Sequence, residues 1–410
     1  MTMSTIKIGD LGRVVTGKTP STKSPEYWNG EYDFITPSDI KDDSYTVRTG
    51  RSVSNSWGKK SPQYLLPEGT TCYVCIGATI GKNCYVSKPS FSNQQINAVI
   101  PDTDRFNPKY VYALLNTISE EVKNRASGAA TPIVNKSSFS DISIEVHRKN
   151  QQDLIVNILE NYDNLIENNN RRIAILEDMA QSLYREWFVN FRYPNHQDNL
   201  DADGKPKLID SPLGQIPEGW EVKNAAEVIT INPKTKLVKE GEKPFVGMSG
   251  LSQGSMVIGD IIEKTGNSGA KFINGDTLFA RITPCLQNGK TGYVQFLTPE
   301  QPVGFGSTEF IVFRESEYLS SEFIYLLSRS NNFREHAIQS MTGATGRQRV
   351  HNDCFASCYL PVPPKELMHE FTKLAKPMFK SIFNLSKRNE NLKQQRDMLL
   401  PKLISGQIEL

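Results

Sequence analysis

The chain has 410 residues, 38% hydrophobic and 22% charged: ordinary globular composition, and length for two or three domains at about 150 residues each. With 47 Lys and Arg against 45 Asp and Glu the net charge is +2, so no global excess marks a nucleic-acid or membrane partner. Six cysteines are too few for a disulfide scaffold, and no leader-like or transmembrane run of about 18 apolar residues is present. We expect a cytoplasmic protein whose Cys72, Cys75, Cys354 and Cys358 are buried, apolar thiols.

In chain order, residues 1–148 carry short strand-like runs such as 71–76 and 97–100 between Gly, Pro, Asn and Ser turns. Residues 149–193 turn helical: Ile155, Ile158, Tyr162, Leu165 and Asn169 step by 3 or 4. After a polar break at Arg171 and Arg172 the pattern resumes at Leu176, Met179 and Leu183. Residues 194–219, rich in Asn, Asp, Gly and Pro, read as an exposed linker. Residues 220–363 return to strand-like runs, for instance 310–313, and 364–410 to a helix through Leu367, Phe371, Leu374, Met378, Leu385, Leu392 and Leu399. Pro377 is expected to kink or segment that helix, and Pro401 with Gly406 to end it.

Spacing near 3.5 residues favours a coiled-coil seam; the alternative is two amphipathic helices on separate cores. A helix of about 38 residues, from roughly Gln152 to Trp187, would measure ~57 Å. Two such helices paired antiparallel would hold two globules apart about a pseudo-twofold axis.

The order is repeated. Val134, Phe139, Ile144 and Val146 match Val350, Phe355, Leu360 and Val362 at an offset of 216, as Leu176 and Leu183 match Leu392 and Leu399. Gly128-Ala129-Ala130 matches Gly343-Ala344-Thr345 at 215, Asn107 to Tyr112 matches Ser320 to Tyr325 at 213, and Gly69 to Tyr73 faces Gly275 to Phe279 at 206. Ile8, Leu11 and Val14 face Val222, Ala225 and Val228 at 214. Drifting offsets mean two related halves with different loops.

Gly12 to Thr19 spells a phosphate loop, but that chemistry needs a helix starting at Lys18-Thr19. Pro20 and Pro25 follow instead, and Arg13-Val14-Val15-Thr16 reads as a strand. The five histidines lack metal-ligand spacing, and neither a nucleophile elbow nor an Asn-Pro-Pro-Tyr methyltransferase motif occurs. A non-catalytic chain is expected.

Thr16 to Thr22, Glu26 to Gly30, Phe34 to Ile40, Gln215 to Trp220, Glu186 to Phe191 and Leu399 to Gly406 together resemble the specificity (S) subunit of type I restriction-modification systems over essentially the whole chain. That resemblance implies an α+β fold: two mainly β target recognition domains (1–148 and 220–363) and a pair of long antiparallel conserved helices (149–193 and 364–410), with 194–219 as linker. It implies that each domain reads one half of a split, asymmetric DNA target while the helices set the spacer. The helices would also dock two modification (M) subunits, which use S-adenosylmethionine to methylate adenine N6. Two restriction (R) subunits, with ATP and Mg2+, would complete the complex; neither a cofactor nor a metal is expected on this chain.

Base edges are read by Arg, Lys, Asn and Gln and by Ser or Thr. In the first domain the candidates are Lys18, Thr19, Ser21 and Lys23; Asn93, Gln94 and Gln95; and Asn135 and Lys136 in the 127–136 loop. In the second they are Arg281, Gln287, Asn288 and Lys290; Ser307 and Thr308; and Arg347, Gln348 and Arg349 in the 342–349 loop. For partner docking the expected residues are Arg171, Arg172, Leu176, Trp187, Phe188, Leu392, Leu399 and Leu403. The near-neutral total averages +3 over 1–148, −2 over 149–193, −3 over 194–363 and +4 over 364–410. Three alternatives remain open from the residues: an S-like subunit of a fused restriction-modification enzyme, a coiled-coil scaffold without DNA binding, and an NTPase using Gly12 to Thr19.

Overall fold

The β-branched and aromatic runs pair into sheets. In the computed structural model, which describes residues 3–40, 45–126, 132–198, 207–238, 240–344 and 346–410, the chain divides into two units. The first holds residues 1–166 with 391–410, the second residues 167–390. The boundaries fall inside the two long helices, so each unit contains a β domain and part of both.

In the first unit Gly12–Thr16, Ile96–Pro101, Thr71–Val74 and Asn83–Tyr85 form, in that order, an antiparallel sheet. A smaller sheet places Trp28–Ile35 antiparallel to Ser52–Val53 and parallel to Ser90–Ser92. Ser4–Lys7 pairs with Ser143–Val146. The Gly12–Thr16 strand occupies the supposed phosphate-loop segment, as its β-branched interior requires.

The second unit repeats this wiring. Thr230–Ile231, Phe310–Arg314, Thr277–Ala280 and Thr291–Tyr293 form the equivalent sheet in the same order. Glu242–Val246 lies antiparallel to Ile261–Thr265 and parallel to Gly304–Gly306, with Ala270–Phe272 added at the edge. Glu221–Asn224 pairs with Tyr359–Val362. Helix caps repeat as well: Asn107 accepts from the Lys109 and Tyr110 amides, and Ser320 from the Phe323 amide. Val134, Phe139, Ile144 and Val146, and their counterparts Val350, Phe355, Leu360 and Val362, are all buried. Of the repeat pair at 128–130 and 343–345, the first member and Thr345 lie outside the described residues.

The central helix runs Lys149–Tyr184 and continues as a π-turn, Arg185–Val189; the C-terminal helix runs Lys365–Ile404. The C-terminal helix passes through both Pro377 and Pro401 instead of being segmented at the first: one proline removes one amide donor while the neighbouring bonds persist. The seam differs from expectation by one residue at alternate positions. Ile155 and Asn169 are buried and Leu176 and Leu183 pack on the core as expected, with Tyr162 half-buried, but Ile166 and Ala180 are buried where Leu165 and Met179 were expected, and Leu165 and Met179 are exposed. On the C-terminal helix Ala375 likewise takes the place of Leu374. Apolar residues stand side by side at 158–159 and 165–166, so spacing alone admits either register.

Pairing is antiparallel in each unit: in the first, His147 meets Leu403 and Asp163 meets Arg396 at 2.6 Å, and in the second, Asn169 donates to Asn389 at 2.8 Å while Trp187 lies beside Phe371. The expected linker is partly structured, with Leu208–Ser211 and Gly214–Pro217 forming a hairpin that buries Ile216; residues 199–206 lie outside the described set. The six cysteines are free, with Cys285 and Cys354 only half-buried. Burial pushes the Cys75 and Cys358 thiols up to about 11, keeping them protonated.

The buried Asn169–Asn389 pair, extended by an Asn389 bond to Asn170 at 2.8 Å, is a polar step in an apolar seam. Asn389→Leu should cost about 1–3 kcal/mol by leaving the Asn169 amide buried and unpaired. Asn169→Leu combined with Asn389→Leu should recover much of it. Urea unfolding of the full chain checks this; equal losses in single and double variants would contradict the pairing.

Candidate nucleic-acid interface

Backbone bonding gathers the candidate loops of each unit at one sheet end. In the first unit the Cys75 amide donates to the Gln95 carbonyl at 2.9 Å, and the Val134 amide to the Cys75 carbonyl at 2.8 Å. Three segments distant in sequence, 93–95, 75–77 and 132–136, therefore lie side by side. In the second unit the Arg281 amide donates to Glu309 at 3.0 Å and the Val350 amide to Arg281 at 2.9 Å. The junction is the same, at equivalent positions, with different side chains.

In the first unit Gly17 brings the Lys18–Lys23 loop to this junction. Its amide donates to Ile96 at 3.0 Å, and a Cβ there would lie 2.2 Å from the Asn93 carbonyl oxygen and 2.4 Å from that of Ser92. The glycine of the apparent phosphate loop is thus a close-approach residue. Across the contact the Thr19 hydroxyl donates to Gln94 Oε1 at 2.7 Å. Lys18, Ser21, Lys23 and Gln94 are exposed, and the Lys18 ammonium stands 5.5 Å from the Tyr64 ring centre. Asn93 is buried and shapes the turn through its bonds with Gln95, so it is a turn residue and not a free reader. Asn135 caps the helix Lys136–Ser140 through the Ser138 amide at 2.8 Å; Lys136 is exposed. Residues 127–131 of that loop lie outside the described residues.

In the second unit Arg281 is half-buried and donates to the Val350 carbonyl, and Lys290 donates to the Met248 carbonyl at 2.9 Å. Both cations are spent bracing loops, a role their charge conceals in the sequence. Gln287, Asn288 and Thr308 are exposed, while the Ser307 hydroxyl accepts from the Glu309 amide at 3.1 Å. The 342–349 loop is closed by reciprocal Thr342–Arg349 amide bonds of 3.0 and 2.8 Å, and Gln348 is tied to Thr283 at 3.1 Å. Arg347 is exposed at the loop tip; Thr345 lies outside the described residues. The residue that sequence reasoning missed is Glu309. It receives Arg349 Nε at 2.9 and 3.0 Å, and that guanidinium holds the carboxyl below the usual carboxylate range. Forty residues separate the two, so no local motif announces the pair.

Of the expected docking residues, Trp187, Phe188 and Leu403 are corrected. Phe188 packs edge-on to Phe323 and Phe371, each at 4.8 Å, and Trp187 lies tilted against Phe371 at 5.9 Å, inside the second unit's core. Leu403 lies in the first unit's core, where His147 Nε2 sits 2.9 Å from its carbonyl. Large apolar side chains at a helix end close onto their own domain when that domain offers aromatic partners. Arg171 and Arg172 are exposed, Arg171 pairing with Glu167 along the helix; Leu176, Leu392 and Leu399 are half-buried. Among the described residues no cluster of His, Cys, Asp and Glu is placed to hold a metal, and no helix is long and apolar enough to cross a membrane.

The sequence profile of the type I restriction modification DNA specificity domain matches residues 2–178 and 217–396, one copy for each half of the repeat. The chain belongs to that family. The type I restriction enzyme MjaIX specificity subunit of Methanocaldococcus jannaschii is 28% identical over 420 residues, covering 98% of this chain and 93% of its own. The EcoEI specificity subunit of Escherichia coli is 34% identical over 170 residues, 39% of this chain and 28% of its own. The type I S subunit crystal structure from M. genitalium shares the fold, with a TM-score of 0.54 at 16% identity over 98% of this chain and 96% of that one. Membership in the specificity family matches the resemblance read from the motifs.

Gly17→Ala should destabilise the first unit by about 1–3 kcal/mol, because backbone carbonyls cannot rotate away from the added methyl. A thermal midpoint equal to wild type would show that the loops do not approach this closely.

Proposed function

We propose that this chain is the non-catalytic DNA-reading subunit of a type I restriction-modification complex, each unit reading one half of a bipartite, asymmetric target. The observation that carries the reading is the duplicated junction: equivalent backbone bonds present Lys18, Thr19 and Gln94 in one unit and Arg347 and Arg349 in the other. One scaffold used twice with different donors suits two different half-sites. A scaffold without DNA binding leaves these donor-rich loops unexplained.

In this reading the paired helices set the unread spacer and dock two modification subunits. Leu154, Leu165, Ile175 and Met179, exposed on the central helix, supply the apolar surface that docking needs in place of Trp187 and Phe188. S-adenosylmethionine would serve adenine methylation on those partners, and ATP with Mg2+ the two restriction subunits. Exposed lysines such as Lys18 and Lys23 would contact phosphates, and Gln94 a base edge.

The test is co-expression of the chain with its modification subunit, followed by single-molecule sequencing of methylated adenines. A split motif is expected, and Gln94→Ala should relax one half of it by about 1–3 kcal/mol of discrimination while leaving the other half intact. Absence of any methylated motif, or equal relaxation of both halves, would overturn the assignment.

A further inference from the structure

Arg349 and Glu309 are each fixed at the backbone before their side chains meet. Arg349 exchanges amide bonds with Thr342 and bridges to Ile282; the Glu309 carbonyl receives the Arg281 amide and its own amide reaches the Ser307 hydroxyl. Between these anchors, Arg349 Nε lies 2.9 Å from Glu309 Oε2 and 3.0 Å from Oε1, and Nη2 lies 2.5 Å from Oε1. The carboxylate thus occupies the side-on edge of the guanidinium. The end-on edge remains: Nη1 makes no hydrogen bond among the described residues, and the Arg349 side chain is 47% exposed.

Two parallel N–H donors on a planar, immobilised group match two adjacent acceptors. In the major groove only guanine offers that, through O6 and N7; adenine puts a donor beside its acceptor, cytosine presents a donor, and thymine one acceptor beside a methyl. Glu309 turns both oxygens to Arg349 and its side chain is only 21% exposed, so the group the pair presents outward is the guanidinium rather than an acceptor for a cytosine amine. The pair carries no net charge, so it gains little from a phosphate, whereas the exposed Arg347 beside it suits one. Holding the guanidinium in advance also lowers the ordering cost of the contact.

We infer that Arg349 reads a guanine in the half-site of the second unit, and that Glu309 is the positioning residue that turns its end-on fork outward and keeps it off the phosphates. This rests on the DNA-reading function proposed above and names the base and the mechanism.

The experiment selects a randomised duplex library with the full chain in its complex with the modification subunit. Wild type is expected to select a split motif with a guanine in one half. Arg349→Lys keeps the charge but loses the fork, and should reduce discrimination at that one position by about 5–150-fold. Glu309→Ala should relax the same position and, by freeing the Arg349 charge, strengthen sequence-independent binding with a salt slope steeper by about 0.9, one more phosphate. The preference of the other half-site, unchanged in both variants, guards against unfolding. The inference is overturned if Arg349→Lys stays fully selective, if it weakens all duplexes equally, or if Glu309→Ala leaves the guanine preference intact. A wild-type chain that selects no sequence would defeat the DNA-reading function itself.

Discussion

Each unit depends on a short backbone ladder at the end of one strand. Where Thr71–Val74 and Thr277–Ala280 run out, the next residues, Cys75 and Arg281, accept one neighbouring segment and donate to another. These bonds use main-chain groups, which every residue except proline possesses, so they survive any change of side chain. That separation of scaffold from side chain lets two halves of one molecule keep a common architecture while their loops diverge. In the first unit the ladder leads to an amide-rich surface around Gln94; in the second it leads to a guanidinium held by a carboxylate.

The long helices impose a second constraint. Asn169 and Asn389 are buried in their seam, where Asn169 donates to Asn389 and Asn389 in turn donates to Asn170, so both amide donors are satisfied and tolerate burial. Leucine at those sites would pack in several registers, whereas this relay of amides is satisfied in one. The aromatic cluster of Trp187, Phe188, Phe323 and Phe371 ties the end of the central helix into its own β domain. Among the residues left outward on the central helix are Leu165 and Met179, which the expected register had placed inside, together with Leu154 and Ile175.

Charge also acts locally here. Arg281 and Lys290 answer backbone carbonyls, Arg314 pairs with the buried Asp276, and Arg349 faces Glu309. A count of cations therefore overstates the number free to meet phosphates, and a net charge of +2 is compatible with small, directed basic sites.

The amino-acid sequence by itself determined the duplication, the α+β class, the two long helices and the loops that carry donors. Apolar residues recurring at offsets of 206 to 216 report core positions, and core positions are set by burial, a local and additive property. Only the tertiary structure decided which of two adjacent apolar residues enters the seam, as at Leu165 and Ile166, and that Trp187 and Phe188 turn into the core. It also decided which cations are already committed and that Glu309 meets Arg349. Each of these depends on a partner brought close by chain folding from a distant position, and no pattern along the chain encodes that distance.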